Sequence, residues 1–160
     1  MGKQVIVVDD NPANRKLLYF ALRTGNYEIH EAGSAAEMTP LIEQVTPDLA
    51  LLDIELPDTD GLTLAKTLRE RFPKALLIML SVLDSPDILR KAFEAGANAY
   101  VIKPYNLREV LDLICRLESA PSDLFTNMRL LYNNASLSLY VNPQKREENS
   151  PTKEEAHESG

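Results

Sequence analysis

Residues 49–61 read LALLDIELPDTDG, an apolar run that ends in a carboxylate and opens onto a turn. The run 49–52 is apolar throughout rather than alternating, which is typical of a strand covered on both faces of a parallel sheet. Pro57 and Gly61 mark the turn that follows. Asp53 lies at the mouth of the strand, where a carboxylate contributes little to packing. We therefore treat Asp53 as a candidate for chemistry.

Other segments repeat the pattern of a short apolar run followed by a helix-sized stretch. The runs lie at 5–8, 27–31, 48–52, 75–80 and 99–102. Successive runs begin 21 to 27 residues apart, which leaves room for a crossover helix between parallel strands. The sequence thus predicts an α/β domain over residues 1–120, with a doubly wound, five-stranded parallel sheet. The strand order 2-1-3-4-5 (flavodoxin-like) follows from the fold class rather than from the letters.

Helix boundaries are marked by capping residues. Asn11, Ser34, Ser85 and Asn106 each precede an amphipathic segment and are predicted N-caps. Pro40 falls inside the second predicted helix, where a missing N–H and a ring clash should kink the helix or fray its first half.

Composition excludes several classes of protein. The net charge of −7 over 160 residues argues against a nucleic-acid surface, which needs clustered Lys and Arg. No apolar run approaches the roughly 18 residues of a membrane span, and the N-terminus shows no secretory pattern. We therefore expect a cytoplasmic protein. The single cysteine, Cys115, rules out an internal disulfide and is expected to be a small core residue.

The sequence after residue 120 divides into two parts. Residues 121–141 hold apolar side chains and a β-capable stretch at their end, so we expect a partly ordered extension. Residues 142–160 are charged and polar without aromatic residues, which predicts a disordered acidic tail.

Polar residues end four of the five predicted strands. Asp9 and Asp10 follow the first, Asp53 the third, Ser81 ends the fourth, and Lys103 follows the fifth. Because ligands bind at the carboxyl ends of parallel strands, we expect these side chains to meet. Two carboxylates about 5 Å apart repel by roughly 3 kcal/mol at an effective dielectric constant near 20. A bound Mg²⁺ would remove that repulsion and leave room for phosphate oxygens, with one carboxylate as the nucleophile.

Each of these residues taken alone has an ordinary structural explanation. An aspartate after a strand is usually a turn former or a helix cap, and Asp58 and Asp60 are interpreted as turn residues. The two histidines are interpreted as incidental, since His30 lies on a strand and His157 in the tail. Only the joint placement of the strand-end residues on one sheet edge favours a functional site.

The chain resembles the receiver domain of two-component response regulators over about residues 3–119. The resemblance rests on VVDDN at 7–11, LDIELPDTDG at 52–61, Ser81, and GANAYVIKP at 96–104. It implies that Asp53 is the phosphoacceptor and that Asp10 is a direct Mg²⁺ ligand. It also implies that Asp9 acts through metal-bound water and that the carbonyl of Glu55 completes the metal shell.

The same resemblance assigns roles around the phosphoryl group. Ser81 would bond its oxygens, Lys103 would pair with it, and the Lys103–Pro104 peptide bond would be cis. Tyr100 matches a switch aromatic that turns inward when Ser81 is drawn to the phosphate. Val82 stands where the family usually has a smaller residue.

The resemblance implies a phosphoacceptor signalling module rather than an enzyme, with Mg²⁺-dependent, self-catalysed phosphotransfer and dephosphorylation. The donor would be a histidine kinase or a histidine phosphotransfer protein. The switched surface would comprise the fourth helix, fifth strand and fifth helix; it would contact an unidentified downstream protein or a second copy in a phosphorylation-dependent homodimer. Neither nucleic acid nor membrane is an expected partner.

Three alternatives stay open from the sequence. The first is a stand-alone receiver, and the second is the receiver part of a longer enzyme or transcription factor. The third is a metal-dependent phosphatase, for which Glu55 has the spacing of a second acid.

Overall fold

The computed structural model describes residues 2–119 and 139–141. The first stretch alternates strands and helices from end to end. The strands are β1 Lys3–Val8, β2 Tyr27–Ala32, β3 Leu49–Leu52, β4 Leu76–Ser81, β5 Ala99–Ile102 and β6 Leu139–Val141. The helices are α1 Pro12–Arg23, α2 Ala35–Gln44, α3 Gly61–Arg71, α4 Pro86–Glu94 and α5 Leu107–Ser119.

The strands of the described residues form one sheet in the order β2-β1-β3-β4-β5-β6. Strands β1 to β5 are parallel, which confirms the predicted order 2-1-3-4-5. β6 is an addition: it pairs antiparallel with β5, with Val101 opposite Leu139 and Ala99 opposite Val141. The remainder of the predicted extension, residues 121–138, and the predicted tail, residues 142–160, lie outside the described residues.

Two apolar layers cover the sheet, one on each face. Alternate residues of the central strands point to opposite faces, so that Val5 and Val7 join the layer under α1 and α5. Ile6 and Val8 join the layer under α2, α3 and α4. All four side chains are at most 1% exposed. Burial on both faces explains why the runs of the central strands are continuously apolar.

The predicted helix caps are present. The side chains of Asn11, Ser34, Ser85 and Asn106 each accept a hydrogen bond from a backbone N–H in the first turn of the following helix. These bonds satisfy donors that the helix itself leaves without partners. The predicted starts of α1, α2, α4 and α5 are therefore confirmed.

α2 corrects the expectation that Pro40 would fray its first half. The helix runs continuously from Ala35 to Gln44 with Pro40 inside it. Its first turn is fixed from two sides: Ser34 Oγ accepts from the N–H of Glu37, and the Asp58 carboxylate accepts from the two preceding N–H groups. Capping by a residue from another loop compensates for the hydrogen bond that Pro40 cannot make.

The prediction that Cys115 is a core residue is wrong. Its side chain is exposed, whereas the buried face of α5 is formed by Val110, Leu113, Ile114 and Leu117. Those residues follow the helical spacing i, i+3, i+4, i+7, and a residue five positions after Val110 points away from that face.

Candidate functional site

The carboxyl edge of the sheet places residues from four strands side by side. Val8 is in register with Leu52, so the residues that follow them, Asp9 and Asp53, leave the sheet together. Ser81 is in register with Ile102, the residue before Lys103. Parallel pairing therefore brings distant segments of the chain to one place.

Three carboxylates meet at this edge. Oxygen atoms of Asp9, Asp10 and Asp53 lie within 4.8 Å of one another. Asp9 and Asp53 are 2% and 7% exposed, whereas Asp10 is open to solvent. The convergence predicted from the sequence is thus observed. We refer to these three residues as the acidic cluster.

Lys103 bridges two members of the acidic cluster. Its Nζ lies 2.8 Å from Asp9 Oδ2 and 3.0 Å from Asp53 Oδ2, and only 14% of its side chain is exposed. The backbone N–H of Lys103 donates to the carbonyl of Ser81 at 2.8 Å, which fixes the chain as it leaves β5. The following Lys103–Pro104 bond is cis, as the sequence resemblance implies.

Burial and their mutual hydrogen bond shift the pKa values of Asp53 and Lys103 in opposite directions. Burial raises the pKa of Asp53; hydrogen bonding to Lys103 opposes the rise, and the neighbouring Asp9 adds to it. For Lys103, burial lowers the pKa, but the bonds to Asp9 and Asp53 outweigh burial, so that its pKa is raised. The site therefore keeps a protonated amine beside a carboxylate that is costly to ionise.

The donor set fits a hard divalent cation. Three carboxylates carry more negative charge than Lys103 neutralises, and oxygen ligands are those that Mg²⁺ prefers. Asp10 is the solvent-facing member and leaves access from water. The acidic cluster is therefore suited to a Mg²⁺ ion that keeps part of its water shell.

The loop after Asp53 is closely packed against it. The N–H of Glu55 donates to Asp53 Oδ1 at 3.1 Å, while the Glu55 side chain is exposed. The N–H of Gly61 donates to the carbonyl of Ile54 at 2.7 Å. A Cβ atom at Gly61 would lie 1.9 Å from the carbonyl oxygen of Asp53, so no side chain fits there.

Asp58 and Asp60, interpreted as turn residues from the sequence, both cap helices. Asp60 Oδ1 accepts from the N–H of Thr63 at 2.8 Å and is the N-cap of α3. Asp58 accepts from the N–H groups of Ala35 and Ala36, which hold its pKa below the usual range. Neither side chain belongs to the acidic cluster.

Comparison with known proteins identifies the family. Residues 5–115 match the response regulator receiver domain. The chain is 35% identical over 111 residues to the transcriptional regulatory protein SrrA of Staphylococcus aureus, covering 69% of this chain and 46% of that protein. This chain belongs to the response regulator receiver domain family. It spans about half the length of the curated relatives it matches.

Solved receiver structures have the same fold. A CheY-like receiver domain protein from Methanospirillum hungatei superposes with a TM-score of 0.69 at 33% identity, covering 72% of this chain and 93% of that one. The BeF3-activated receiver domain of DrrB superposes with a TM-score of 0.70 at 27% identity, covering 75% of this chain and all of that one. The receiver fold thus accounts for the described residues up to the end of α5.

The two residues expected to act as a switch in the receiver meet at Leu83, in the loop between β4 and α4. Ser81 is fully buried, and its Oγ accepts from the N–H of Leu83 at 3.2 Å. Tyr100 is also fully buried, and its hydroxyl donates to the carbonyl of Leu83. Val82, which lies between Ser81 and Leu83 in the sequence, is 57% exposed. The roles of Ser81 and Tyr100 remain predictions.

One receiver residue that touches the site has no marker in the sequence. Arg15 Nη1 donates to the backbone carbonyl of Asp9 at 2.6 Å. An arginine near the start of an amphipathic helix is ordinarily a solvated side chain, so its spacing carries no signal. The histidines play no part in the acidic cluster: His30 lies on β2 beside Gln4, and His157 lies outside the described residues.

Among the described residues, no helix is both long and apolar enough to cross a bilayer.

Proposed function

We propose that this receiver accepts a phosphoryl group on Asp53 from a phosphohistidine of a histidine kinase or histidine phosphotransfer protein. The observation that carries the proposal is the convergence of the acidic cluster with Lys103 at one sheet edge. A buried carboxylate held beside an ammonium group and two further acids is an arrangement suited to a metal-assisted phosphoryl acceptor.

Each residue has a defined task in this proposal. Asp10 and Asp53 would hold Mg²⁺ directly, Asp9 would act through a metal-bound water, and the carbonyl of Glu55 would complete the ligand set. When bound, Mg²⁺ supplies positive charge that offsets the charge building on the phosphoryl oxygens. Lys103 is already bonded to Asp53, so its amine is in place to pair with the transferred group.

The transfer forms one bond and breaks another. An oxygen of the Asp53 carboxylate bonds to phosphorus as the P–N bond to the donor imidazole breaks, and the electron pair of that bond stays on the imidazole nitrogen. Ser81 donates its hydroxyl hydrogen to a phosphoryl oxygen. Loss of the group follows by attack of water on phosphorus, which returns Asp53 to a carboxylate and releases inorganic phosphate. The protein is thus a phosphoacceptor that assists its own reactions rather than an enzyme with a separate substrate.

We propose an output surface that differs from the one predicted from the sequence. The predicted surface comprises α4, β5 and α5. However, β6 pairs with three of the four residues of β5 and so occupies that edge of the sheet. The proposed surface is therefore bordered by α4, β6 and α5. It would contact a downstream protein or a second copy of the receiver. The cytoplasmic location stays a prediction.

Phosphorylation with a small donor tests the proposal. With Mg²⁺ and acetyl phosphate, the chain should gain the mass of one phosphoryl group, removable by hydroxylamine as an acyl phosphate is. Asp53→Asn should abolish the gain. Asp60→Asn is the matched control, because Asn caps a helix as well as Asp does, and it should label like the parent chain. Equal labelling of Asp53→Asn would show that the acceptor is another residue.

A second candidate function is the receiver part of a longer regulator. It is favoured by the match to less than half of SrrA, a protein named for transcriptional regulation. Determining the natural reading frame around this sequence distinguishes a stand-alone receiver from the receiver part of a longer regulator. The family assignment favours signalling over the phosphatase alternative. Turnover of an aryl phosphate by this chain would support the phosphatase.

A further inference from the structure

We propose that Arg15 is a positioning residue for the metal site, acting through the peptide bond that joins Asp9 to Asp10. The inference rests on the proposed function of the acidic cluster and adds a residue outside it. Arg15 is not a ligand in this proposal. It holds the backbone from which one ligand projects.

Asp9 is held at every polar group. Its N–H donates to the last carbonyl of β2 at 3.1 Å. Its carboxylate accepts from the N–H of Asn11 at 2.9 Å, from Asn14 Nδ2 at 3.4 Å and from Lys103 Nζ at 2.8 Å. Its carbonyl accepts from Arg15 at 2.6 Å.

The carbonyl bond is the one that reaches Asp10. Asp10 is exposed, and the direction of its carboxylate depends on the backbone that carries it. The carbonyl of Asp9 and the N–H and Cα of Asp10 lie in one rigid peptide plane. Arg15 fixes the tilt of that plane by bonding to its oxygen. It therefore sets the direction in which the Asp10 side chain leaves the chain, toward the other carboxylates of the cluster.

Arg15 is itself placed by the neighbouring strand and helix. Its side chain is 20% exposed, and Nε lies 3.5 Å from Glu31 Oε1 on β2. That Nε is buried and has no hydrogen-bond partner. A Cβ at Gly33 would lie 3.1 Å from Arg15 Nη1 and 3.2 Å from Glu37 Oε2, so the missing side chain at position 33 makes room for the guanidinium. The guanidinium that bonds to the carbonyl of Asp9 is therefore held in place by Glu31 and by the space at Gly33.

Mg²⁺ titration of the full chain tests the proposal, with the amide resonances of Asp10 and Glu55 followed by NMR at constant ionic strength. Arg15→Gln should raise the Mg²⁺ dissociation constant roughly tenfold, the lower end of the range seen when outer partners of metal ligands are removed. Lys16→Gln is the matched control: it removes the same charge one residue away, from an exposed side chain. It should change the constant by less than about twofold, since an exposed charge is screened by solvent.

Two further variants separate positioning from general stability. Glu31→Gln leaves the bond to Asp9 intact and should bind Mg²⁺ within about twofold of the parent chain. Arg15→Lys keeps the charge on a shorter arm with one nitrogen, and should remain about threefold weaker than the parent even if Arg15→Gln fails to fold. Parent-like affinity in both Arg15 variants, or equal losses in Glu31→Gln and Arg15→Gln, would overturn the inference. Failure of the parent chain itself to bind Mg²⁺ would instead refute the proposed function.

Discussion

The two edges of the same sheet use polar residues in opposite ways. At the carboxyl edge, three carboxylates lie together, only two of them contact the one ammonium group, and burial makes ionisation of Asp53 unfavourable. At the amino edge, Asn98 Oδ1 accepts from the N–H of Leu77 at 2.9 Å and from Arg69 Nη2 at 2.7 Å. Tyr27 at that edge donates to the carboxylate of Glu118.

The difference separates stability from function within one small domain. The amino edge pairs each of these polar groups with a partner and so stabilises the fold. The carboxyl edge accumulates like charge that no structural need explains, as is common where a site is arranged for chemistry. Substitutions at the two edges should therefore have separable effects, on phosphorylation at one and on folding at the other.

The largest effect is expected from Lys103→Ala at the carboxyl edge. The variant loses the amine that contacts both Asp9 and Asp53. Binding of beryllofluoride, a phosphoryl mimic, should weaken by about 100-fold at saturating Mg²⁺, the upper range for a hydrogen bond to a charged group. Mg²⁺ affinity should not fall comparably, because the substitution removes an ammonium group that repels the metal ion. Fluorescence or NMR titration measures both constants.

Lys74→Ala, an exposed lysine at the amino edge, is the control and should leave both constants unchanged. A larger loss of Mg²⁺ affinity than of beryllofluoride affinity in Lys103→Ala would contradict the assigned role.

The next effect is expected at the amino edge, from Asn98→Ala. Leu77 is fully buried, so its N–H would lose a partner that water cannot replace. The free energy of unfolding should fall by about 2 kcal/mol, measured by urea denaturation. Phosphorylation by acetyl phosphate in conditions where the chain is folded should be unchanged. If phosphorylation of folded Asn98→Ala fell together with its free energy of unfolding, the two edges would not have separable effects.

Asn98→Asp sharpens the same comparison. The carboxylate keeps an acceptor for Leu77 and Arg69, so most of the stability should be retained. If Asn98→Asp were as destabilising as Asn98→Ala in the same urea titration, the acceptor would not be what the Asn98 side chain contributes.

The smallest effect is expected from Asp53→Asn on stability in the metal-free protein. Removing a buried carboxylate whose ionisation is disfavoured should raise the free energy of unfolding by about 1 kcal/mol at neutral pH, while Lys103 keeps its bond to Asp9. Because the folded pKa of Asp53 is raised, the folded parent binds more protons than the unfolded chain between the two pKa values. The parent chain therefore loses stability as the pH rises through the folded-state pKa of Asp53. It regains that stability as the pH falls toward 3.8, the pKa of Asp53 without burial.

The advantage of Asp53→Asn should accordingly shrink on acidification, as measured by thermal unfolding at a series of pH values. Asp60→Asn should follow the parent chain across the range, since Asp60 lies outside the cluster. An advantage of Asp53→Asn that stays constant down to acidic pH would exclude the buried charge as its cause.

Local patterns are enough to predict most of the fold. Near-continuous apolar runs identify four of the five parallel strands, and the alternating run 27–31 identifies the second. Asn11, Ser34, Ser85 and Asn106 mark helix starts because capping acts within one turn of the chain. The prediction for Cys115 is wrong because it considers only that the neighbouring residues are apolar. It does not consider which face of the helix position 115 occupies. The pairing of β6 with β5 is not predicted, since a three-residue strand carries too little pattern to specify its partner.

In the candidate site, the contacts that follow from strand topology can be predicted, and those made by individual side chains with the backbone cannot. Asp9, Asp10, Asp53 and Lys103 can be predicted to meet because parallel strands end at one edge. The cap that Asp58 provides to α2 spans 22 and 23 residues. No local pattern reveals such a contact, and the same holds for the bond from Arg15 to the carbonyl of Asp9.

The antiparallel direction of β6 has a practical consequence for sensor design. Leu139 lies opposite Val101 and Val141 opposite Ala99, so the chain passes Val141 travelling toward the amino edge. A fluorescent protein inserted directly after Val141 would start at the end of the sheet remote from Asp53. Such a fusion would spare the approach of a phosphodonor, whereas a reporter inserted beside Val82 would obstruct it.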